Sequence, residues 1–112
     1  ADGVSFFRDV EIATSSGDFA PPAPPMGVSE TVSCGRLLFL DLPPGWRDAR
    51  HPSPRRQFAF LLSGRLRVTA GDGETRVLEA GGAWLMEDVN GAGHASEVVG
   101  DAPVRIAIAQ LD

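Results

Sequence analysis

The chain has 112 residues and a formal net charge of −5, and all 10 of its basic residues are arginine. The absence of lysine excludes catalysis through a Schiff base or a lysine general base, and the acidic balance argues against nucleic acid as a main partner. This length suits one domain with a hydrophobic core of its own, so we expect a single domain over residues 1–112.

The single cysteine and the hydropathy of the chain bear on its compartment. Cys34 cannot form an internal disulfide, and beside an apolar run we expect it to be a buried or half-buried thiol. No apolar run approaches the roughly 20 residues that span a membrane. Residues 1–10 have neither a basic start nor a long apolar segment, so no signal peptide is expected. We therefore predict a cytoplasmic protein with no membrane partner.

Short apolar stretches separated by glycine and proline recur along the chain, and they predict strands. The first is "SFFRDVEI", and a proline-rich arm at about residues 18–27 follows it, which we expect to run extended over the surface. "GDG" at residues 71–73 predicts a hairpin turn. The other predicted strands are "RLLFLDL", "QFAFLLSG", "RLRVTA", "ETRVLEAGG", "AWLME", "HASEVVG" and "VRIAIAQL".

Alternation within these stretches supports the strand assignment. In "RLRVT" the apolar Leu66 and Val68 point to one face, and the flanking arginines point to the other. In "VRIAIAQL" every second residue from Val104 to Gln110 shares a face. Since no convincing long helix is found, the pattern predicts an all-β sandwich or barrel.

The stretch "HPSPRRQFAFLLSG" carries the first sign of a functional site. It resembles the first motif of the cupin superfamily, G-x5-H-x-H-x3,4-E-x6-G. Gly45, His51 and Gly64 match that motif in register, while Ser53 replaces its second histidine and Gln57 replaces its glutamate. In an extended chain the odd-numbered residues of this stretch point to one face.

A variant of the second cupin motif, G-x5-P-x-G-x2-H-x3-N, follows at the expected distance. Gly91 and His94 keep its G-x2-H spacing, whereas Val89 stands in place of the proline and Val98 in place of the asparagine. Counted from Gly82, the approach is one residue longer than in the motif. From about residue 36 to its end, the chain is therefore similar to small single-domain bacterial cupins.

The resemblance implies a jelly-roll β-barrel, in which two sheets enclose a pocket that holds a divalent metal. Only His51, Gln57 and His94 carry over as ligands. With one imidazole and one carboxylate lost, a zinc, nickel, iron or copper ion would be bound weakly. The alternative is that the two histidines form hydrogen bonds with Gln57, Ser53 or water in a metal-free polar pocket. No organic cofactor is expected.

Alternation also assigns the wall of the pocket. Ala59 and Leu61 share the face of Gln57, and the small Ala59 leaves room for a ligand. Arg55 would bind a carboxylate at the mouth; alternatively, Arg55 and Arg56 lie on the surface and face acidic neighbours. Trp46 would cover the pocket or a dimer interface. The predicted ligand-binding residues are Arg55, Ser53, Ala59, Leu61, Ser96 and Trp46.

Three functions remain open. The first is a metal-dependent enzyme acting on a small organic acid or aromatic compound. The second is a non-catalytic ligand-binding or sensing module with a metal-free pocket. The third is a metal-free enzyme that uses His51 or His94 as an acid–base group. Glu87 and Asp88 could also act as a general acid or base; the alternative is that they are solvated carboxylates of a loop. The partner in each case is a small molecule with anionic character.

A homodimer is also expected. Phe58, Phe60 and Leu62 point away from the pocket face and would otherwise form part of an exposed apolar patch. The predicted N-terminal strand is a candidate for covering a sheet edge. Trp84, by contrast, is assigned to the core.

Overall fold

The computed structural model describes residues 4–112, so the first three residues of the predicted domain lie outside the described residues. Within residues 4–112 the regular secondary structure consists of strands, with no helix, which confirms the all-β prediction. Accordingly, no helix in this part of the chain has the length and hydropathy to cross a membrane. The strands are β1 (Thr14–Gly17), β2 (Met26–Ser29), β3 (Cys34–Leu42), β4 (Gln57–Ser63), β5 (Arg65–Thr69), β6 (Thr75–Glu79), β7 (Ala83–Met86), β8 (Ala95–Val98) and β9 (Val104–Leu111).

Two antiparallel sheets form the body of the molecule. One contains four strands in the order β3-β9-β4-β7, and the other contains three in the order β6-β5-β8. In the second sheet the consecutive strands β5 and β6 pair, whereas β5 and β8, like the paired strands of the first sheet, are separated along the chain. β1 and β2 form a separate two-stranded sheet.

The core lies between the two sheets and follows the alternation expected from the sequence. On β9, Val104, Ile106 and Ile108 are between 1% and 4% exposed, and they pack with Leu66 and Val68 of β5. Each such burial stabilises the fold by about 1.5–3 kcal/mol. The shared face predicted for "RLRVT" and for "VRIAIAQL" is confirmed.

The N-terminal part of the chain departs from expectation. Residues 5–12 form no strand, so the prediction of a first strand in "SFFRDVEI" is wrong. The proline-rich arm is exposed, but β1 and β2 flank it and make a hairpin instead of one extended run. The four prolines of the arm, which have no backbone N–H to donate, lie between the two strands and outside their ladder.

Cys34 is exposed, which corrects the expectation of a buried or half-buried thiol. It is the first residue of β3, at a register shift in the pairing with β9. Strand β3 is also an edge strand of its sheet. A side chain at such a corner has few neighbours to cover it.

Candidate functional site

A cavity of about 640 Å³ lies between the N-terminal segment and the two sheets. The segment of residues 4–12, here called the strap, runs along one side of the cavity and contributes many of its lining residues. Opposite the strap, the lining includes Val68 of β5, Leu78 of β6 and Trp84 of β7. His94, just before β8, also lines the cavity.

His51 and His94 are brought together by the backbone. They form an isolated antiparallel bridge with two backbone hydrogen bonds, each 2.9 Å long. Their ring centroids are 5.1 Å apart. Gly93 makes this approach possible, because an added Cβ there would lie 1.9 Å from the carbonyl oxygen of His51. The two motif histidines are thus adjacent although 43 positions separate them in sequence (94 − 51).

Each imidazole has a polar partner at Nδ1. Nδ1 of His94 lies 2.5 Å from Oδ2 of Asp88, and the His94 residue is only 5% exposed. Nδ1 of His51 lies 3.0 Å from the carbonyl oxygen of Ala49 and 3.3 Å from Oδ2 of Asp48. The His51 side chain is exposed, in contrast to that of His94. A partner at Nδ1 orients the ring and leaves Nε2 as the nitrogen available to a ligand.

The Trp84 indole and the His94 ring form a T-shaped contact, with centroids 4.8 Å apart. Trp84 also packs against the core cluster while remaining partly exposed. It therefore joins the core, as the sequence suggested, and at the same time forms a wall of the cavity beside the buried histidine.

Ser53 and Gln57, which replace two ligands of the motif, are buried and bound to protein groups. The hydroxyl of Ser53 donates to the carbonyl oxygen of Arg55 at 2.8 Å and contacts the sulfur of Met86. Oε1 of Gln57 accepts a hydrogen bond from Nε2 of Gln110 at 3.0 Å, and Nε2 of Gln57 donates to Met86. Both side chains therefore stabilise the interior through internal hydrogen bonds.

The side chains at this position do not supply the ligands of the metal centre that the resemblance implies. Within residues 4–112 no group of three or more histidine, cysteine, aspartate or glutamate side chains is placed to hold a metal ion. Two imidazoles remain, and the amide oxygen of Gln57 already accepts a hydrogen bond. A zinc-type centre generally takes three or four protein ligands.

The other predicted ligand-binding residues lie away from the cavity. Ala59 and Leu61 are each 3% exposed and belong to the core cluster, so the lumen beside Ala59 is filled. Trp46 packs against the same cluster, and Ser96 is buried. Arg55 is exposed. Of the predicted metal- and ligand-binding residues, His94 lines the cavity, and so do the candidate acid–base residues Glu87 and Asp88.

Arg76 is a cavity residue that sequence reasoning missed. Its Nη1 lies 2.8 Å from Oδ1 of Asp9 on the strap, and its Nε lies 2.9 Å from Oε2 of Glu74. These hydrogen bonds, to Glu74 first and then to Asp9, raise the pKa of Arg76 above its ordinary value. Its guanidinium carbon lies 4.9 Å from the centre of the Phe7 ring. The only sequence signal was alternation in "ETRVLE", which puts Arg76 on the face of Leu78.

Glu87 links the strap to the loop before β4. Its carboxylate accepts hydrogen bonds from Arg8 at 3.1 Å and from Arg56 at 3.0 Å. The pKa of Glu87 is lowered, chiefly by the hydrogen bond from Arg8 and then by that from Arg56. Arg56 thus lies at the surface facing an acidic neighbour, as one of the sequence alternatives had it.

Comparison with known proteins identifies the family and the fold of the chain. A family model described as "Cupin domain" matches residues 38–109. Recombinant oxalate oxidase in complex with glycolate is 21% identical with a TM-score of 0.54, over 64% of this chain and 39% of that chain. The Cnp3 cupin domain of Schizosaccharomyces pombe is 18% identical with a TM-score of 0.51, over 92% and 65% of the two chains.

A conserved protein of unknown function from Streptococcus pyogenes is 20% identical, with a TM-score of 0.51, over 76% of this chain and 70% of that one. None of the curated proteins compared with the chain matched it. The chain spans about two fifths of the oxalate oxidase chain, 39% of its length. These likenesses confirm the jelly-roll fold.

Proposed function

Since the chain belongs to the cupin family, we propose that it is a small-molecule-binding cupin whose pocket works without a bound metal. The observation that carries the proposal is the cavity of about 640 Å³ beside Trp84 and His94. A cavity of this volume suits a small organic molecule. The hydrogen bonds of Ser53 to Arg55 and of Gln57 to Gln110 support the metal-free form, because they orient both side chains towards groups of the protein.

The chemistry of the cavity wall indicates how a ligand would be held. Trp84, Leu78 and Val68 offer apolar surface to the body of a ligand. Asp88 contacts Nδ1 of His94 and orients the ring, so that Nε2 is the nitrogen that can contact a polar group of a ligand. A polar group beside apolar wall residues fixes the orientation of a ligand and gives specificity.

We propose further that residues 1–112 form one cupin unit and that the protein is a homodimer. On the outer face of the four-stranded sheet, Phe39 lies opposite Ala107, and Ala107 lies opposite Phe60. Phe39 is 60% exposed, Phe60 is 40% exposed and Leu37, nearby on β3, is 66% exposed. A second copy would bury this apolar face.

We also propose a cytoplasmic location. Cys34 is the only cysteine and is exposed. A lone, accessible thiol is compatible with a reducing compartment, where disulfides are rare.

The alternative is a metal-dependent enzyme acting on a small organic acid or aromatic compound, and one observation favours it. Nδ1 of His94 and Nδ1 of His51 are each within 3.3 Å of a carboxylate, from Asp88 and Asp48. Carboxylates oriented in this way are typical partners of metal-binding histidines. A zinc, nickel, iron or copper ion would then rest on two imidazoles, with a substrate or water completing its ligands.

Fluorescence of Trp84 tests the proposal directly. Trp46 does not line the cavity, so Trp46→Phe leaves Trp84 as the only indole and removes background emission. Chelator-treated protein is titrated with neutral and anionic small aromatic and aliphatic compounds. We expect a saturable change in emission with at least one compound.

The same titration distinguishes the alternative. If binding or turnover appears only after one equivalent of a divalent metal is added, the metal-dependent enzyme is the better account. If no compound changes the emission of Trp84, with or without metal, the proposed ligand-binding function is wrong.

A further inference from the structure

We infer that the cavity selects small molecules that combine a carboxylate with an apolar body, that Arg76 binds this carboxylate, and that Asp9 of the strap occupies Arg76 when no ligand is bound. The inference rests on the proposed function, since it specifies the ligand class of the same cavity. It places anion recognition at Arg76 on β6, whereas the sequence pattern had favoured Arg55.

Arg76 is the cationic side chain best placed to bind the carboxylate of a ligand. Arg8 and Arg76 are the arginines among the residues that line the cavity. The carboxylate bound to Arg8 belongs to Glu87, which Arg56 holds as well. The Arg8 side chain is 66% exposed, whereas that of Arg76 is 38% exposed. A less solvated guanidinium interacts more strongly with an anion.

The anionic partner of Arg76 on the strap is easily exchanged. The side chain of Asp9 is 95% exposed, and an exposed ion pair is worth little because water and salt screen it. Asp9 meets Nη1, while Glu74 meets Nε. A ligand carboxylate can therefore replace Asp9 at one side of the guanidinium while Glu74 keeps the side chain of Arg76 in place.

The neighbours of Arg76 suit an apolar body beside the carboxylate. Leu78 shares the inward face of β6, and Val68 and Trp84 complete this wall. The Phe7 ring lies under the guanidinium. The strap itself thus presents an aromatic ring and a carboxylate to Arg76, which is the combination of groups inferred for the ligand.

The strap can release Asp9 without leaving the barrel. Ser5 fixes its start: the hydroxyl donates to the carbonyl oxygen of Gly93 at 2.7 Å and accepts from the amide of Gly71 at 2.6 Å. The amide of Asp72 donates to the carbonyl oxygen of Ser5 at 3.0 Å. Asp9 lies four positions beyond this anchor, so a small rotation of the exposed part of the strap is enough to break its pair with Arg76.

The test uses phenylacetate and its neutral analogue phenylacetamide as probes. The full chain, treated with chelator and carrying Trp46→Phe, is titrated while Trp84 emission is followed. Asp9→Asn is expected to tighten phenylacetate binding by about two- to fivefold, the range for loss of one exposed competing ion pair. Arg76→Gln is expected to weaken it by about tenfold or more, as for a lost charge-assisted hydrogen bond.

Two controls make the result specific. Phenylacetamide affinity should change little in either variant, because it lacks the charge. Glu11→Gln should leave both affinities unchanged, since Glu11 is an exposed strap carboxylate outside the cavity lining. Unchanged phenylacetate affinity in both Asp9→Asn and Arg76→Gln, or equal changes for the two probes, would overturn the inference.

The inference and the proposed function fail in different ways. If phenylacetate does not bind but a neutral compound does, the ligand class is wrong and the proposed function stands. If no compound alters Trp84 emission in any variant, both are wrong. Asp9→Asn changes an exposed side chain, so its result remains readable even if Arg76→Gln disturbs the fold.

Discussion

His51 and His94 face each other across an isolated bridge, and each donates its backbone N–H to the carbonyl oxygen of the other at 2.9 Å. This bridge ties the loop before β4 to the loop before β8. It sets the two imidazole rings 5.1 Å apart. The pairing of the motif histidines is therefore a property of the backbone, and it depends on the residue next to His94.

Gly93→Ala tests that dependence. Gly93 has φ of +75°, and an added Cβ would lie 1.9 Å from the carbonyl oxygen of His51. The loop must shift to relieve this contact, which breaks the bridge. We expect the free energy of unfolding to fall by about 1–3 kcal/mol beyond the cost of the positive φ alone, measured by chemical denaturation.

Gly45→Ala is the matched control. Gly45 has φ of +81°, and an added Cβ would meet nothing within 4 Å. Its cost is that of the left-handed backbone alone, about 1–2 kcal/mol. Equal losses of stability in the two variants would contradict the view that close approach, and not conformation, makes Gly93 necessary.

Metal binding by the natural chain should be weak. With Ser53 and Gln57 in place of an imidazole and a carboxylate, we expect substoichiometric metal that a mild chelator removes. Ser53→His combined with Gln57→Glu should restore tight 1:1 binding. In either form binding should weaken as the pH falls, because an imidazole nitrogen must be deprotonated to bind a metal. Elemental analysis before and after chelation measures this.

Gln57→Glu alone serves as the intermediate, since it adds charge without enlarging the buried side chain at position 53. A full equivalent of metal retained by the natural protein would show that the interpretation of Ser53 and Gln57 as lost ligands is wrong. A folded double variant that binds no metal would show that His51 and His94 do not act on a common ion.

The strap should loosen in acid. The pKa of Glu87 is lowered by its hydrogen bonds to Arg8 and then to Arg56. Such a carboxyl contributes stability that is complete above its unfolded-state pKa, near ~4.3 for glutamate, and that is lost as the pH falls through the lower folded-state pKa. Hydrogen exchange of the strap, corrected for intrinsic pH dependence, should therefore rise below about pH 4.3.

Glu87→Gln should show the faster exchange already at neutral pH, with a smaller acid-dependent step. Amides in β9, in the centre of a sheet, serve as the internal reference. Equal protection of the strap at neutral and acid pH would mean that the Arg8–Glu87 pair does not hold it.

The dimer prediction depends on the outer face of the four-stranded sheet. Phe39 is 60% exposed there, so Phe39→Glu should change protomer stability by no more than about 0.5 kcal/mol. It places a charge in the apolar patch and should give a monomeric mass by light scattering. Val77→Glu is the control, because Val77 is 45% exposed on β6 of the other sheet. A natural protein that is monomeric at micromolar concentration would exclude the dimer.

The sequence by itself determined the strands and their faces. Alternation along "QFAFLLSG" places Gln57, Ala59 and Leu61 inward and Phe60 and Leu62 outward, and their burial agrees. This was predictable because side chains in a strand alternate with a period of two, which is a local property. The motif spacing likewise predicted that His51 and His94 belong to one site, and the backbone brings the two residues together.

Only the tertiary structure decided where the cavity lies and what covers it. The strap has the apolar residues of a strand, yet Ser5 binds loop groups near Gly71 and Gly93, and residues 5–12 form no strand. Arg76 appears in sequence as an ordinary hairpin residue. It becomes a cavity residue because Phe7 and Asp9, nearly 70 positions away, pack against it. Contacts between distant segments depend on which surfaces remain unpaired after the sheets form, and local patterns do not encode that.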